Sequence, residues 1–241
     1  MIRAALLAFV ALWVAVPAAA QSLVVVEVRG VDFKVGARLD EAQQVKLPAG
    51  GKLVVVRTDG TVISLRGPHS GPLKSKVPPN QGAGRALAAL VANRKDRANR
   101  VGAVRSGSNA ALLPSPWLID ISRPGERCLV EDAAIGWWRP SSETAQDFTL
   151  LPLDRSWNAQ LQFQVGQETV AVTRVSDIEV AKPFIIKHEE REYSIRVHLI
   201  PKAITTEPSV LAGWMIEKGC FQQTDALIAA LILGQNAENS Q

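Results

Sequence analysis

The chain has 241 residues, 47% of them apolar, which is enough to build a core in one or two domains. Its net charge of +4 is gathered in one segment, and no nucleic-acid partner is expected. The two cysteines, Cys128 and Cys220, have no second cysteine or histidine at ligand spacing, which argues against a zinc site.

Residues 1–20 carry Arg3, an apolar run from Ala4 to Val16, then Pro17 and Ala18-Ala19-Ala20, the order of a secretory signal peptide cut after Ala20. The run is about 13 residues, whereas a spanning helix needs about 20. Gln21 and Ser22 follow where a lipid-anchored precursor would place a cysteine, and the later apolar stretch Ala226 to Leu233 is also too short to span. A mature chain without a transmembrane anchor, periplasmic or secreted, is therefore expected. Export delivers the cysteines to an oxidising space, so a Cys128–Cys220 disulfide is expected. The competing arrangement is a pair of buried thiols.

Residues 21–72 read as a small β module. Leu23 to Val28 is nearly all β-branched, as in a buried strand. Lys52-Leu53-Val54-Val55-Val56-Arg57 and Thr61-Val62-Ile63-Ser64-Leu65 flank Thr58-Asp59-Gly60, whose Asp-Gly supplies the positive backbone angles of a tight hairpin. Pro48-Ala49-Gly50-Gly51 makes a turn just before it.

Residues 73–113 form a basic linker, with a helix predicted over Arg85 to Ala98. Between Lys74 and Arg105 eight basic residues, Arg94, Lys95 and Arg97 among them, face the single acid Asp96. Such an excess can hold phosphate-bearing partners or anionic membrane surface, or can simply be solvated.

Residues 114–234 read as an antiparallel, Ig-like β-sandwich with short C-terminal helices. Trp117 to Ile121 and Arg127 to Val130 are strands separated by Arg123-Pro124-Gly125. Trp157 to Val165 alternates apolar and polar at every position, a strand with one wet face. Thr169 to Val175, Phe184 to Lys187 and Tyr193 to Leu199 extend the pattern, the last two joined by His188-Glu189-Glu190-Arg191. Pro208-Ser209 opens a helix that Gly219 ends, and Thr224-Asp225 starts a second one to about Leu233. Residues 235–241 read as a disordered tail.

The chemistry-bearing residue types do not assemble into a catalytic motif. The three histidines, His69, His188 and His198, have no evident partner, and no nucleophile elbow, zincin or phosphate-loop motif occurs. Gly82-Ala83-Gly84 lacks the third glycine, the preceding strand and the acidic residue of a dinucleotide site. No catalytic, metal or cofactor residue is expected. Trp137-Trp138-Arg139 is a candidate partner-binding feature, because tandem rings beside an arginine can stack on sugars or clamp a peptide. The alternative puts one ring in the core. The pairs Glu131-Asp132 and Glu189-Glu190 leave open a glycan hydrolase built on paired carboxylates and the Trp137-Trp138 rings.

Val35-Gly36 through Pro68, with Leu47-Pro48-Ala49-Gly50-Gly51-Lys52-Leu53 leading into Thr58-Asp59-Gly60-Thr61-Val62-Ile63-Ser64-Leu65, resembles FecR-like domains. The resemblance implies a small exported β module of a bacterial envelope. Family members in iron-siderophore signalling contact an outer-membrane receptor and carry a transmembrane helix that this chain lacks. The expectation is a non-enzymatic binding, scaffold or sensory-accessory protein, without cofactor, whose partner is an envelope protein or a cell-wall component.

Overall fold

The computed structural model describes residues 22–73, 90–92, 111–131, 133–172 and 182–238. The expected signal segment, Asp132, and most of the basic connector, with Arg94, Lys95 and Arg97, lie outside the described residues. The chain is mainly β, as its alternating patterns require.

The first sheet runs β2 (Arg38–Asp40), β1 (Ser22–Arg29), β4 (Lys52–Arg57), β5 (Val62–Arg66), with antiparallel neighbours throughout. Leu23–Val26 of β1 and Leu53–Val56 of β4, its two central strands, are apolar without interruption because both faces are covered there. Leu23, Val25, Leu53 and Val55 pack with Val45 and Leu47 from a two-stranded ribbon of β3 (Gln44–Leu47) and β6 (His69–Pro72). Val24, Val26, Val54 and Val56 pack instead against helix α1 (Pro208–Lys218), through Val210, Leu211, Trp214 and Met215. Burying each such aliphatic side chain contributes about 1.5–3 kcal/mol before conformational entropy is subtracted.

A β-bulge at Val26 shifts the register from Val25 opposite Val55 to Glu27 opposite Val54. The extra residue exchanges the faces beyond it. Val28 therefore joins the ribbon side, and Glu27 meets Lys218 of α1 at 2.6 Å and Lys52 at 2.9 Å. Burial raises the Glu27 carboxyl, but its bonds to Lys218 and Lys52 outweigh that and hold it below its ordinary value.

The β4–β5 hairpin turns more loosely than its Asp-Gly suggests. Arg57 N–H donates to Thr61 and Gly60 N–H to Arg57, and only Gly60, at φ 83°, is left-handed. That is a three-residue loop in which glycine closes a type I turn. The Asp59 carboxylate accepts Thr61 N–H at 2.8 Å. Gly60 also has to be bare, since a Cβ there would stand 2.4 Å from Leu90.

Two further sheets face each other across a second core. One has the order β11 (Ala159–Phe163), β10 (Gln146–Pro152), β13 (Pro183–His188), β14 (Arg191–Ile200), β8 (Gly125–Val130). The other is β12 (Thr169–Val172), β9 (Ile135–Trp138), β7 (Leu118–Asp120). Ile119, Ile121, Ile135 and Trp137 from the second meet Phe148, Phe163, Phe184, Ile186, Ile195 and Val197 from the first.

This sandwich differs from the expected antiparallel one at two pairings, β14 with β8 and β7 with β9, which run parallel. The turn Arg123-Pro124-Gly125 is accordingly not a hairpin. It carries the chain from one sheet to the other, and Arg127 clasps it by donating from Nη2 to the carbonyls of Asp120 (3.1 Å) and Arg123 (2.9 Å).

Pro208 occupies the first turn of α1, where its missing N–H costs nothing. The helix ends as expected at Gly219, φ 82°, with Gly219 N–H bonded to Ile216 O and Cys220 N–H to Met215 O. Helix α2 spans Phe221–Glu238, so it starts before Thr224 and continues past Leu233 into the segment read as tail. Thr224 is not a cap; its hydroxyl bonds back to Cys220 O inside the helix. The two helices and β8 share one core with the first sheet, so they lie between it and the sandwich.

Candidate functional site

The sequence-flagged residues are mostly structural. Cys128 on β8 and Cys220 at the α1–α2 corner form the expected disulfide, 92 residues apart in sequence with Cα atoms 5.9 Å apart. It fits an oxidising, exported compartment, and no helix among the described residues is long and apolar enough to cross a membrane.

Trp137, Trp138 and Arg139 are buried, as in the alternative that puts a ring in the core rather than in a surface clamp. Alternation along β9 sends Trp137 into the sandwich core and Trp138 to the opposite face, against Leu113 and Ala226. Arg139, wholly buried, donates to the carbonyls of Gln167 (2.9 Å), Thr144 (2.5 Å) and Gln164 (2.7 Å) and lies 5.2 Å over the Phe163 ring. These bonds hold the loops that flank β10 and β11.

The histidines are scattered among the described residues. His198 shares Glu126 (2.7 Å) with Arg196 (3.3 Å) on β14 and β8. His188 stacks on Phe148, ring centroids 4.3 Å apart, with Nδ1 2.9 Å from Asp147 O. His69 belongs to β6, away from both. Glu131 reaches Lys202 at 3.5 Å, while Glu189 and Glu190 form a two-residue hairpin loop.

One buried polar cluster stands at the corner between β7 and β8. The Asp120 carboxylate accepts Ser122 Oγ (2.6 Å), Ser122 N–H (2.9 Å) and the Gln222 side-chain amide (2.9 Å). Tyr193 donates its hydroxyl to Ile121 O, and burial, reinforced by the Asp120 charge, pushes the phenol up to about 12. Burial also pulls the Arg127 guanidinium down, against the opposing charge of Asp120. These bonds brace the β7–β8 corner, with Gln222 of α2 and Tyr193 of β14 tying it to other parts of the chain.

The open candidate site is the outward face of the five-stranded sheet. Strand register sets Thr149 between Gln160 and Lys187. With Asp147, Leu151, Arg155, Asn158 and Glu189 they line a depression of about 440 Å³. Its walls offer amides and a hydroxyl, with cations and carboxylates on either side. A second depression, about 300 Å³, lies across the β10–β11 loop between Leu153, Trp157, Lys182 and Phe184. Leu153 is 59% exposed and Trp157 37%, its ring 6.1 Å from Phe184. Asp154 beside it accepts both the hydroxyl and the N–H of Ser156, which holds its carboxyl below the ordinary value.

This geometry suits reversible binding through hydrogen bonds beside an apolar ledge. No group of three metal-ligating side chains occurs among the described residues. Sequence reading missed the face because Asn158, Gln160 and Gln162 are what any solvated strand face carries; the exposed Trp157 at its end was the available signal.

No family model, no curated protein and no solved structure matches this chain.

Proposed function

We propose that the protein is an exported, non-enzymatic binding or scaffold protein of the bacterial envelope, periplasmic or secreted, that holds a hydroxyl- and amide-rich cell-wall component. The observation that carries this reading is the depression lined by amides and a hydroxyl on the outward face of a sheet braced by a buried disulfide. Convergent amides and hydroxyls are the groups that recognise sugars and peptide backbones. The first β module is FecR-like in this reading. The basic segment containing Arg94, Lys95 and Arg97 supplies contact with anionic surface, an assignment resting on charge alone.

Co-sedimentation with isolated cell-wall sacculi tests the proposal. Wild-type protein should pellet with the polymer, and Asn158→Ala/Lys187→Ala should pellet at least about fivefold less, a loss of about 1 kcal/mol. Equal pelleting of the two proteins, or none by either, refutes the assignment of this face. Release of soluble glycan fragments would make the protein a hydrolase instead.

A further inference from the structure

The charges in the larger depression are sorted by sign. Asp147 of β10 and Glu189 of the β13–β14 turn stand at one end; two residues along β10, about 7 Å by strand rise, Thr149 pairs with Lys187. Lys187 and Asp147 are diagonal neighbours, yet neither side chain forms an ion pair among the described residues, and Glu189 comes only to 3.9 Å from His188 Nε2. Glu192, the carboxylate opposite Lys187 in register, is taken instead by Arg155, whose Nη2 and Nη1 lie 2.7 and 3.4 Å from its two oxygens. Arg155 belongs to the loop beyond the end of β10, so it crosses back over β10 and β13 to reach β14. Its backbone is left-handed, φ 55°, with its N–H on Pro152 O at 3.0 Å, a conformation uncommon for any residue but glycine.

We infer that the depression takes a dipolar, peptide-like ligand, its carboxylate on Arg155 and Lys187 and its ammonium on Asp147 and Glu189, and that Glu192 competes with that carboxylate for Arg155. The fork of an arginine matches the two oxygens of a carboxylate, and Glu192 shows where such a group lies. With side chains 55% and 37% exposed, the Arg155–Glu192 pair is worth no more than about a fivefold factor in an equilibrium, so an incoming carboxylate displaces Glu192 at small cost. A separation of about 7 Å between the charged ends is that of two extended residues, which the free termini of a dipeptide match. A neutral sugar would leave both signs of charge unmet. The inference rests on the binding role proposed for this face and narrows it from glycan to peptide bearing both charges.

Titration of the processed protein, purified after export, with the dipeptide alanyl-alanine decides the matter, read from the NMR amide shifts of Thr149 and Lys187. The wild type should show saturable shifts, and the N-acetylated and C-amidated dipeptides should each bind at least about fivefold more weakly. Arg155→Gln should weaken binding at least about fivefold, whereas Glu192→Gln should tighten it about two- to fivefold, a gain that misfolding cannot produce. Absence of saturable shifts overturns the inference, as do blocked dipeptides that bind equally well or a Glu192→Gln variant that binds no tighter. Pelleting with sacculi while the dipeptide leaves these amides unmoved would overturn the inference and keep the binding role. Dipeptide binding without pelleting would support the inference and remove the cell-wall polymer as the ligand.

Discussion

Gln223→Ala should be among the most damaging single substitutions in the helical tail. The side chain is 1% exposed and makes three hydrogen bonds, two to the Cys128 backbone and one, at 3.0 Å, to Pro116 O. Truncation strips partners from a buried N–H and two carbonyls, and each buried group left unmet costs about 1–3 kcal/mol. Carbonyls tolerate the loss better than an N–H. The cavity can also admit water, which brings the expected total to about 3–4 kcal/mol. Against a domain stability of about 5–15 kcal/mol this is a large fraction. Urea unfolding followed by tryptophan fluorescence would measure it, with the neighbouring Gln222→Ala as reference. Gln222 bonds Asp120 and Ala111 O from a less buried position, so its loss should cost about half as much or less. Gln223→Glu should be no milder than alanine, because a carboxylate would face the Cys128 and Pro116 carbonyls. A Gln223→Ala penalty under about 1 kcal/mol would refute the view that this amide substitutes for a strand.

Cys128→Ala/Cys220→Ala should lower stability by about 4–5 kcal/mol through the entropy of a loop closed across 92 residues, readable as a fall in the urea midpoint. Gly213→Ala should destabilise by about 1–2 kcal/mol in thermal unfolding, although alanine favours helix by about 1 kcal/mol. A Cβ there would stand 2.7 Å from Val56 Cγ1 and 3.0 Å from Gly60 O, a stiff side chain and a backbone atom. Tyr193 is the chain's single tyrosine, so ultraviolet titration should show one phenol ionising near 12, above the usual value of about 10. A raised pKa in the folded state means stability is intact below pH 10 and falls as pH climbs toward 12, a slope that Tyr193→Phe should flatten.

Strands with strong local signatures were legible: β1 and β4 from Val-rich apolar runs, β13 and β14 from alternation around a charged turn, α1 from Pro208 and Gly219. Others were not. β10 lies in a stretch whose polar start hides its apolar phase, and β9 was read for its tryptophans rather than as a strand. Alternation from Trp157 to Val165 promised five core positions, yet only Leu161 and Phe163 are buried, because the ends overrun the paired strand. The candidate face combines the β10–β11 hairpin with β13, which register brings alongside β10 from more than 20 residues further along the chain. No spacing within one segment encodes that.

Taken alone, the sequence determined the β class, the β4–β5 and β13–β14 turns and the end of α1 at Gly219, because each follows from local periodicity or backbone preference; it left the disulfide as an expectation that the structure bears out. The tertiary structure alone decided the sheet crossing at Arg123-Pro124-Gly125, the parallel pairings, the burial of Trp137, Trp138 and Arg139, and the seating of the Gln223 amide on Cys128 of β8. Those depend on which distant strand lies alongside. Many pairings satisfy one strand's pattern equally well, and only the joint packing of both cores against the C-terminal helices selects among them.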